Sequence, residues 1–227
     1  MGSREQPIPK KYDGVMVSST FTDLKAHRAI IIEAINCQDM KAIAMEYDSA
    51  KPGADIISSS LQMVRECAGY VAIVGYKYGQ IPKCSRRNRN RRSITELEFR
   101  EARRLGRPTL LFIMGSEHPV KKSVLDEGLA NTPELIAFTT LARQGRIYAT
   151  FDSPEELARK AIQSVAKLRW HLHLEDQLRR QTRLLSLLEL AKTGSFSDVN
   201  DLTAFEVAAL KHVACIRTQQ SGGSQNE

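Results

Sequence analysis

The sequence predicts an α/β fold with a mostly parallel five-stranded sheet, and three observations support this prediction. Strand-like apolar runs alternate with helical patterns along most of the chain, which is typical of a parallel sheet covered by helices on both faces. Residues 70–74 (YVAIV) are continuously apolar, as a strand buried on both faces should be. The 227 residues, 42% hydrophobic and 26% charged, have the composition of a folded protein. We therefore expect one main domain with a helical extension.

The first half of the predicted domain contains three strands and two helices. Residues 14–19 (GVMVSS) and 41–45 (KAIAM) are short strand candidates, and residues 22–36 between them have apolar positions at helical spacing. Asp55 is a suitable N-cap for a second helix that ends near residue 66. Residues 70–74 then form the central strand.

The second half continues the alternation and then becomes helical. The predicted elements are a helix at 95–105 stopped by Gly106, a strand at 109–113, a helix at 133–143, an edge strand at 147–151 and helices at 154–171, 176–192 and 202–217. No strand pattern follows residue 171. We therefore expect a flexible segment at 1–12, an α/β domain at 13–172, a helical extension at 173–217 and a disordered tail at 218–227.

Composition indicates a cytoplasmic protein without a metal site. The four cysteines lie far apart, without metal-ligand spacing, and Cys37 and Cys67 fall in apolar helical patterns that predict buried thiols in a reducing compartment. No apolar run approaches the roughly 18 residues of a membrane span, and the N-terminus does not resemble a signal sequence. We expect no membrane partner.

The candidate site lies at the carboxyl ends of the strands, where open parallel sheets bind ligands. Three segments reach this edge: residues 18–21 (SSTF), 75–79 (GYKYG) and 93–98 (SITELE). The candidate substrate-binding residues are Ser18, Ser19, Thr20, Phe21, Gly75, Tyr76, Tyr78, Ser93 and Thr95. The hydroxyls after the first strand either hold phosphate or ribose, or else Thr20 or Thr22 caps the next helix. The two tyrosines either stack on a base or pack within the fold.

Glu98 is the candidate catalytic carboxylate. Thr95 and Glu98 have the i, i+3 spacing of a capping box, so one interpretation is that they only satisfy the amides of a helix start. The other interpretation is that Glu98 faces the site. Glu96 lies about 200 degrees around the helix from Glu98, which predicts one carboxylate in the site and not an acid/base pair.

These motifs resemble known families. The pattern Thr95-x-x-Glu98-x-x-x-Ala102-x-x-x-Gly106-x-Pro108 is similar to the catalytic signature of nucleoside 2-deoxyribosyltransferases and to the catalytic-glutamate helix of TIR domains. The segments VSSTFTDL, YVAIVGYKYG and SITELEFREA, within residues 13–150, resemble the TIR-like domain of unknown function DUF4062, which is found in prokaryotic defence proteins and some large eukaryotic NTPases. The resemblance implies a flavodoxin-like or TIR-like three-layer fold.

The resemblance also implies an activity and its site. Glu98 would be the nucleophile, or the carboxylate that stabilises an oxocarbenium ion, of an N-glycosidase. The enzyme would be a hydrolase that consumes NAD or a related nucleotide as its substrate, without a cofactor, as an effector of prokaryotic antiviral defence. Self-association, or a partner protein bound through the C-terminal helices, would accompany this role.

Two departures from the relatives qualify the expectation. The loop GYKYGQIPK has no acidic residue, whereas deoxyribosyltransferases carry acidic residues after the third strand, so nucleobase exchange is not expected. His27 precedes Arg28 at a position where DUF4062 relatives often have an acidic residue.

Two other functions remain open. The domain could be a non-catalytic interaction module in which Glu98 only caps its helix. Alternatively, residues 83–92, of which six of ten are basic, could contact nucleic acid, and this segment also contributes to the net charge of +7. If the protein is a glycosidase, the candidate phosphate ligands in this segment are Arg86, Arg87, Arg91 and Arg92. The alternative without a function is a loop whose arginines are only solvated.

Overall fold

The computed structural model describes residues 14–45, 55–84, 86–119 and 132–193, the last six of them without side chains. Within these residues, five strands and five helices alternate along the chain. The strands are β1 (Gly14–Ser18), β2 (Lys41–Ile43), β3 (Gly69–Val74), β4 (Thr109–Met114) and β5 (Ala149–Phe151). The helices are α1 (Lys25–Asn36), α2 (Ile56–Glu66), α3 (Ile94–Arg104), α4 (Thr132–Arg143) and α5 (Pro154–Thr193).

The strands form one sheet in the order β2-β1-β3-β4-β5, and all four pairings are parallel. This is the strand order of flavodoxin-like folds. The predicted fold class is therefore confirmed. In this order the chain moves outward from β1 to β2 and then crosses back to β3, so the direction of winding reverses between β1 and β3. Ligand crevices in such sheets form at this reversal.

Both faces of the sheet are buried, which explains the continuous apolar run in β3. Successive strand residues point to opposite faces. Val71 and Ile73 belong to the core cluster that includes α1 and α5, whereas Tyr70, Ala72 and Val74 belong to the cluster that includes α2, α3 and α4. The helices thus form two layers around the sheet, as the pattern predicted.

Local signals predicted some details correctly and others wrongly. Asp55 is the N-cap of α2 and accepts a hydrogen bond from the Ser58 amide at 3.0 Å, as expected. Cys67 is buried in the core. The prediction of a buried Cys37 is wrong, because this residue follows the last turn of α1 and its side chain is exposed.

Helix α5 is one continuous helix where the sequence predicted two, at 154–171 and 176–192. The intervening residues include no glycine or proline that would end a helix. Asp176, the first residue of the second predicted helix, pairs with Arg180 one turn later at 2.8 Å. The chain divides into two compact units, Met1–Leu172 and His173–Glu227. The predicted helix at 202–217 and both terminal segments lie outside the described residues.

Among the helices in the described ranges, none combines the length and the apolar character needed to cross a membrane.

Candidate functional site

A cavity of about 500 Å³ lies at the carboxyl ends of β1 and β3, where the winding reverses. Its volume is within the usual range for small-molecule sites, roughly 300–1,000 Å³. Strand β1, the segments that follow β1, β2 and β3, and three helices contribute its lining. Among the described residues the lining comprises residues 17–22, Arg28, Met45, Ile56, residues 77–80, Ile94, Thr95 and Glu98. Of the predicted site residues, Ser18, Ser19, Thr20, Phe21, Tyr78, Thr95 and Glu98 therefore lie together.

Ser93 begins helix α3, and this start determines where Glu98 lies. The Ser93 side chain accepts a hydrogen bond from the Glu96 amide at 3.2 Å, so Ser93 is the N-cap. Thr95 therefore lies within the first turn, and the predicted capping box of Thr95 with Glu98 is wrong. This placement puts Glu98 on the buried face of α3 next to Phe99.

Glu98 is a buried carboxyl group at the wall of the cavity. Its side chain is only 3% exposed, and the Ser18 hydroxyl donates a hydrogen bond to its Oε2 atom. Burial raises the pKa of Glu98 to about 7, because removal from water disfavours the charged form. Hydrogen bonds from Ser18 and Ser60 and the positive charge of Arg28 act in the opposite direction. Glu98 thus changes its charge near neutral pH.

Glu96 has a separate set of partners, as the angle between the two residues predicted. It accepts hydrogen bonds from the Tyr78 hydroxyl and from Arg100, both at 2.6 Å, and pairs with Arg92 at 3.2 Å. Burial raises the pKa of Tyr78 to about 12, and the hydrogen bond that its hydroxyl donates to Glu96 contributes to this increase. The described lining of the cavity contains Glu98 and not Glu96.

The loop after β1 is held by its own hydroxyls and by helix α1. Ser19 donates to the Thr20 carbonyl at 2.8 Å and accepts from Nη1 of Arg28 at 3.0 Å. The alternative in which Thr20 or Thr22 caps α1 is wrong, because Leu24 occupies the N-cap position and no side chain makes the cap hydrogen bond. The hydroxyls of this loop are thus not used in capping.

The loop after β3 approaches the loop after β1 closely. Gly79 has a φ of +96°, and a Cβ atom there would lie 3.0 Å from Cγ2 of Thr20. The backbone conformation therefore favours glycine, and a side chain at this position would also displace Thr20 by a few tenths of an ångström. Gly75 and Ser93 contribute no atoms to the lining.

The two tyrosines of this loop do not present free rings. Tyr76 lies outside the lining and donates to the Gly115 carbonyl at 2.8 Å. Tyr78 reaches the cavity but is buried, with its ring edge against Phe138 and its hydroxyl on Glu96. The geometry favours the packing interpretation for both. Phe21, which is 50% exposed, is the aromatic ring available at the cavity.

The described residues of the basic segment 83–92 contribute nothing to the lining of the cavity. Asn88 is buried and bonds the Arg92 amide and carbonyl, both at 2.8 Å, which closes the loop. Arg87 binds Asp55 and Ser58 at the start of α2, and Arg92 pairs with Glu96. The two remaining candidate phosphate ligands, Arg86 and Arg91, are exposed. All four arginines lie outside the cavity lining.

Sequence reasoning missed the cations of the cavity, Arg28 and Lys77. A signal for Arg28 was present. It occupies the apolar stripe of α1 at helical spacing from Leu24, Ile31 and Ile35, and it is 4% exposed. A charged residue on a buried stripe indicates that its partner lies inside the fold.

His27 forms a buried pair with His118. Their Nε2 atoms are 3.0 Å apart, and both rings pack against Phe151 at centroid distances of 5.5 and 5.6 Å. Burial, the neighbouring His118 and, in the opposite direction, Asp23 combine to lower the pKa of His27.

Acidification is expected to destabilise the fold through His27. Because its folded pKa lies below the ordinary value of 6.5, the neutral ring stabilises the fold above pH 6.5 and this contribution is lost as the pH falls. The change in Tm between pH 8 and pH 5 should be smaller for His27→Gln than for the unmodified chain. The exposed His173→Gln is the control, and an equal change in both variants would contradict the prediction.

The fold and cavity define a doubly wound, flavodoxin-like α/β domain with a ligand-sized cavity at its switch point. The chain belongs to the family described as "Domain of unknown function (DUF4062)", whose model matches residues 14–166. The family expected from the motifs is thus confirmed. No protein of curated function matches the chain significantly.

Three solved structures resemble the chain at low identity. A metazoan TIR-STING receptor from C. gigas in complex with 2',3'-cGAMP is 12% identical, with a TM-score of 0.41, and the match covers 71% of this chain and 41% of the receptor chain. A diflavin flavoprotein A3 from Nostoc sp. is 13% identical, with coverages of 75% and 98% and a TM-score of 0.37. A probable GTP-binding protein engB is 14% identical, with coverages of 68% and 98% and a TM-score of 0.36. These similarities do not identify an activity.

Proposed function

We propose that this protein is an N-glycosidase that cleaves the bond between the sugar and the base of a nucleotide, with Glu98 as the catalytic residue. The observation that carries the proposal is the buried Glu98 carboxyl at a ligand-sized cavity, bonded across to Ser18 of another element and not to its own helix start. A carboxyl group used only as a cap would bond the first amides of α3, and Ser93 already does this.

The chemistry requires one carboxylate. Cleavage breaks the bond between C1′ of the sugar and the base nitrogen, the bonding electron pair leaves with the base, and positive charge develops on the sugar. Ionised Glu98 would stabilise that charge or bond to C1′, after which water adds to C1′ and releases a proton. A base that is cationic in the substrate, such as nicotinamide in NAD, leaves neutral without a general acid. This fits a lining in which Glu98 is the single carboxylate among the described residues.

The apolar part of the lining suits a base. Phe21, Met45 and Ile56 line the cavity and are each at least 36% exposed, so a planar ring could cover them. NAD is the substrate we expect first, and a role in prokaryotic defence would give such an activity its purpose. Both assignments follow from the resemblance to TIR-like effectors and remain proposals.

The experiment is a substrate screen with the full chain at high concentration, so that self-association is possible. NAD, NADP, ATP and deoxynucleosides are incubated separately and the products are separated by chromatography, with Glu98→Gln as the control. Release of a free base by the unmodified protein alone supports the proposal. No release from any of these substrates would favour a non-catalytic interaction module.

Phe21→Ala is expected to raise KM about tenfold or more with a smaller effect on kcat, because stacking of a base on an aromatic ring contributes about 1–3 kcal/mol. Steady-state kinetics with the substrate identified in the screen provide the measurement. Phe21→Tyr keeps the ring and should stay close to the unmodified protein. A loss of similar size in both variants would argue against stacking.

A further inference from the structure

Ser18 and Glu98 form a direct link between strand β1 and helix α3. Ser18 is the last residue of β1, and Glu98 lies 80 positions later, in the second turn of α3. The Ser18 hydroxyl donates a hydrogen bond to Oε2 of Glu98, and the two residues are buried, at 1% and 3% exposed. Both residues also line the cavity. The bond therefore fixes the carboxyl group at the cavity wall relative to the sheet.

The backbone of Ser18 is held by the sheet. Strand β1 lies between β2 and β3, and Ser18 pairs with Ala72 of β3. A group on a paired strand is placed more precisely than a group on a loop. Ser19, the next residue, belongs to the loop after β1, where it donates to the Thr20 carbonyl and accepts from Arg28. The two adjacent serines thus have different partners.

The Ser18 hydroxyl has one proton, and Glu98 determines where that proton points. An ionised carboxylate accepts hydrogen bonds and donates none, so Ser18 must be the donor of this pair. The same proton is then not available to a ligand in the cavity. The geometry therefore favours a role for Ser18 on Glu98 over the expected role as a substrate ligand.

Four groups from four elements of the fold surround Glu98. Among the effects that lower the pKa of Glu98 against burial, the hydrogen bond from Ser18 is the largest, followed by those of Ser60 on α2 and Arg28 on α1. Tyr70 on β3 is neutral, because burial and then the charge of Glu98 raise the pKa of Tyr70 well above its ordinary value. A hydrogen bond donated to an ionised carboxyl group favours the ionised form. Ser18 thus orients Glu98 and also favours its charged state.

We propose that Ser18 is the positioning residue of Glu98: its hydroxyl fixes the orientation of the carboxylate at the cavity and does not itself bind the ligand. The catalytic part of this inference rests on the proposed function, in which ionised Glu98 faces C1′ of a sugar. Displacement of a reacting group by about 1 Å can lower a rate about a hundredfold. A partner that fixes one carboxylate oxygen reduces the number of orientations open to the other.

Titration of Glu98 tests the bond without turnover. Carbon-13 NMR of the full chain with labelled glutamate carboxyl groups follows the Glu98 signal, which is identified by its absence from Glu98→Gln. In Ser18→Ala the pKa of Glu98 is expected to rise by about one pH unit, which is the scale of one hydrogen bond to a charged group. Ser18→Thr keeps the hydroxyl, so its Glu98 pKa should stay close to that of the unmodified protein.

Ser153→Ala is the matched control. Ser153 accepts a hydrogen bond from the Glu156 amide at the start of α5, at 3.1 Å, and lies outside the described lining of the cavity. Its loss should lower Tm without changing the pKa of Glu98. If Ser18→Ala does not fold, Ser18→Cys takes its place, because a thiol is only a weak donor. An unchanged Glu98 pKa in the folded Ser18 variant overturns the proposal, and so does an equal change in Ser153→Ala.

Kinetics on the substrate found in the screen distinguish positioning from ligand binding. At two pH units above the Glu98 pKa of each protein the carboxylate is ionised in both, so a remaining loss of activity comes from its orientation. There Ser18→Ala is expected to lower kcat about tenfold or more with KM within about twofold, and Ser18→Thr should restore kcat. A rise in KM with kcat unchanged would overturn the proposal, because Ser18 would then bind the ligand.

The positioning role and the proposed function can fail separately. If the unmodified protein releases no base, while the Glu98 pKa rises in Ser18→Ala and not in Ser153→Ala, the bond between Ser18 and Glu98 stands and the glycosidase is lost. If base release depends on Glu98 but kcat at high pH is the same in Ser18→Ala, the glycosidase stands and Ser18 is not a positioning residue.

Discussion

Glu98→Gln is expected to lower kcat for base release on the order of a thousandfold, which is the scale of losing one group that stabilises charge in a transition state. Glutamine has nearly the same shape but cannot become negative, so the developing charge on the sugar loses its counter-ion. KM should change much less than kcat. Single-turnover and steady-state kinetics on the substrate found in the screen provide the measurement.

The matched control is Glu96→Gln, two residues earlier in the same helix. Its carboxylate bonds Tyr78, Arg92 and Arg100 and lies outside the cavity lining, so its loss should leave kcat within about tenfold. Equal losses in both variants would mean that the activity depends on the integrity of α3 and not on Glu98.

The pH dependence of the proposed activity in the unmodified protein should report the ionisation of Glu98. Glu98 must be ionised to act, and its pKa is about 7, so kcat/KM should rise about tenfold per pH unit below 7 and level off above it. A profile that is flat between pH 5.5 and 8 would argue that another group stabilises the sugar.

The fold was predictable because its signals are distributed over many residues. The apolar runs of β1, β3 and β4 and the helical spacing between them all indicate the same alternation, so a local error cannot change the result. The continuity of helix α5 at its middle was not predictable. An aspartate such as Asp176 is common both at a helix N-cap and in an ion pair within a helix, and the sequence does not distinguish the two roles.

The candidate site was predictable in its loops but not in its orientation. Ser93 and Thr95 are each followed three residues later by a glutamate, so two registers of the helix start are possible from local pattern alone. The structure uses Ser93, which leaves Thr95 and Glu98 inside the helix, with Phe99 and Ala102 packed into the core. Local spacing contains no information about that packing.

Side-chain partners explain the other differences. Tyr76 and Tyr78 were equivalent candidates for stacking, but their hydroxyls bond Gly115 and Glu96, which are distant in sequence and could not be foreseen. The run of arginines at 83–92 is the more conspicuous pattern in the sequence, whereas the cations that line the cavity, Arg28 and Lys77, each stand outside this run. A single buried cation such as Arg28 is a weak sequence signal, although it contributes more to a cavity than several solvated ones.

The same variant, Glu98→Gln, is expected to stabilise the fold by roughly 3–4 kcal/mol at pH 8. Between pH 4.5, the ordinary pKa of a glutamate, and pH 7, Glu98 is protonated in the folded state and ionised in the unfolded state. The stability of the folded state therefore falls as the pH rises through this interval and stays lower above it. Each pH unit of this interval lowers the free energy of unfolding by about 1.4 kcal/mol, which gives the expected gain of the glutamine variant as an order of magnitude.

Chemical denaturation at pH 5 and pH 8 measures this effect, and glutamine should lose most of its advantage at pH 5. Glu101 on the same helix provides a control of opposite sign, because hydrogen bonds from Arg104 and Arg65 lower its pKa despite partial burial. Glu101→Gln should therefore destabilise the fold at pH 8, with a smaller effect in acid.

The sign of the stability change in Glu98→Gln distinguishes a carboxylate that acts on a ligand from one that stabilises the fold. A carboxylate retained for stability would be paired so that its removal destabilises the fold at neutral and alkaline pH, as expected for Glu101. A carboxylate that is buried at a cost of stability, beside a cavity that a ligand can fill, is retained for what it does to that ligand. If Glu98→Gln is less stable than the unmodified chain at pH 8, Glu98 is a structural residue and the argument for catalysis loses its physical basis.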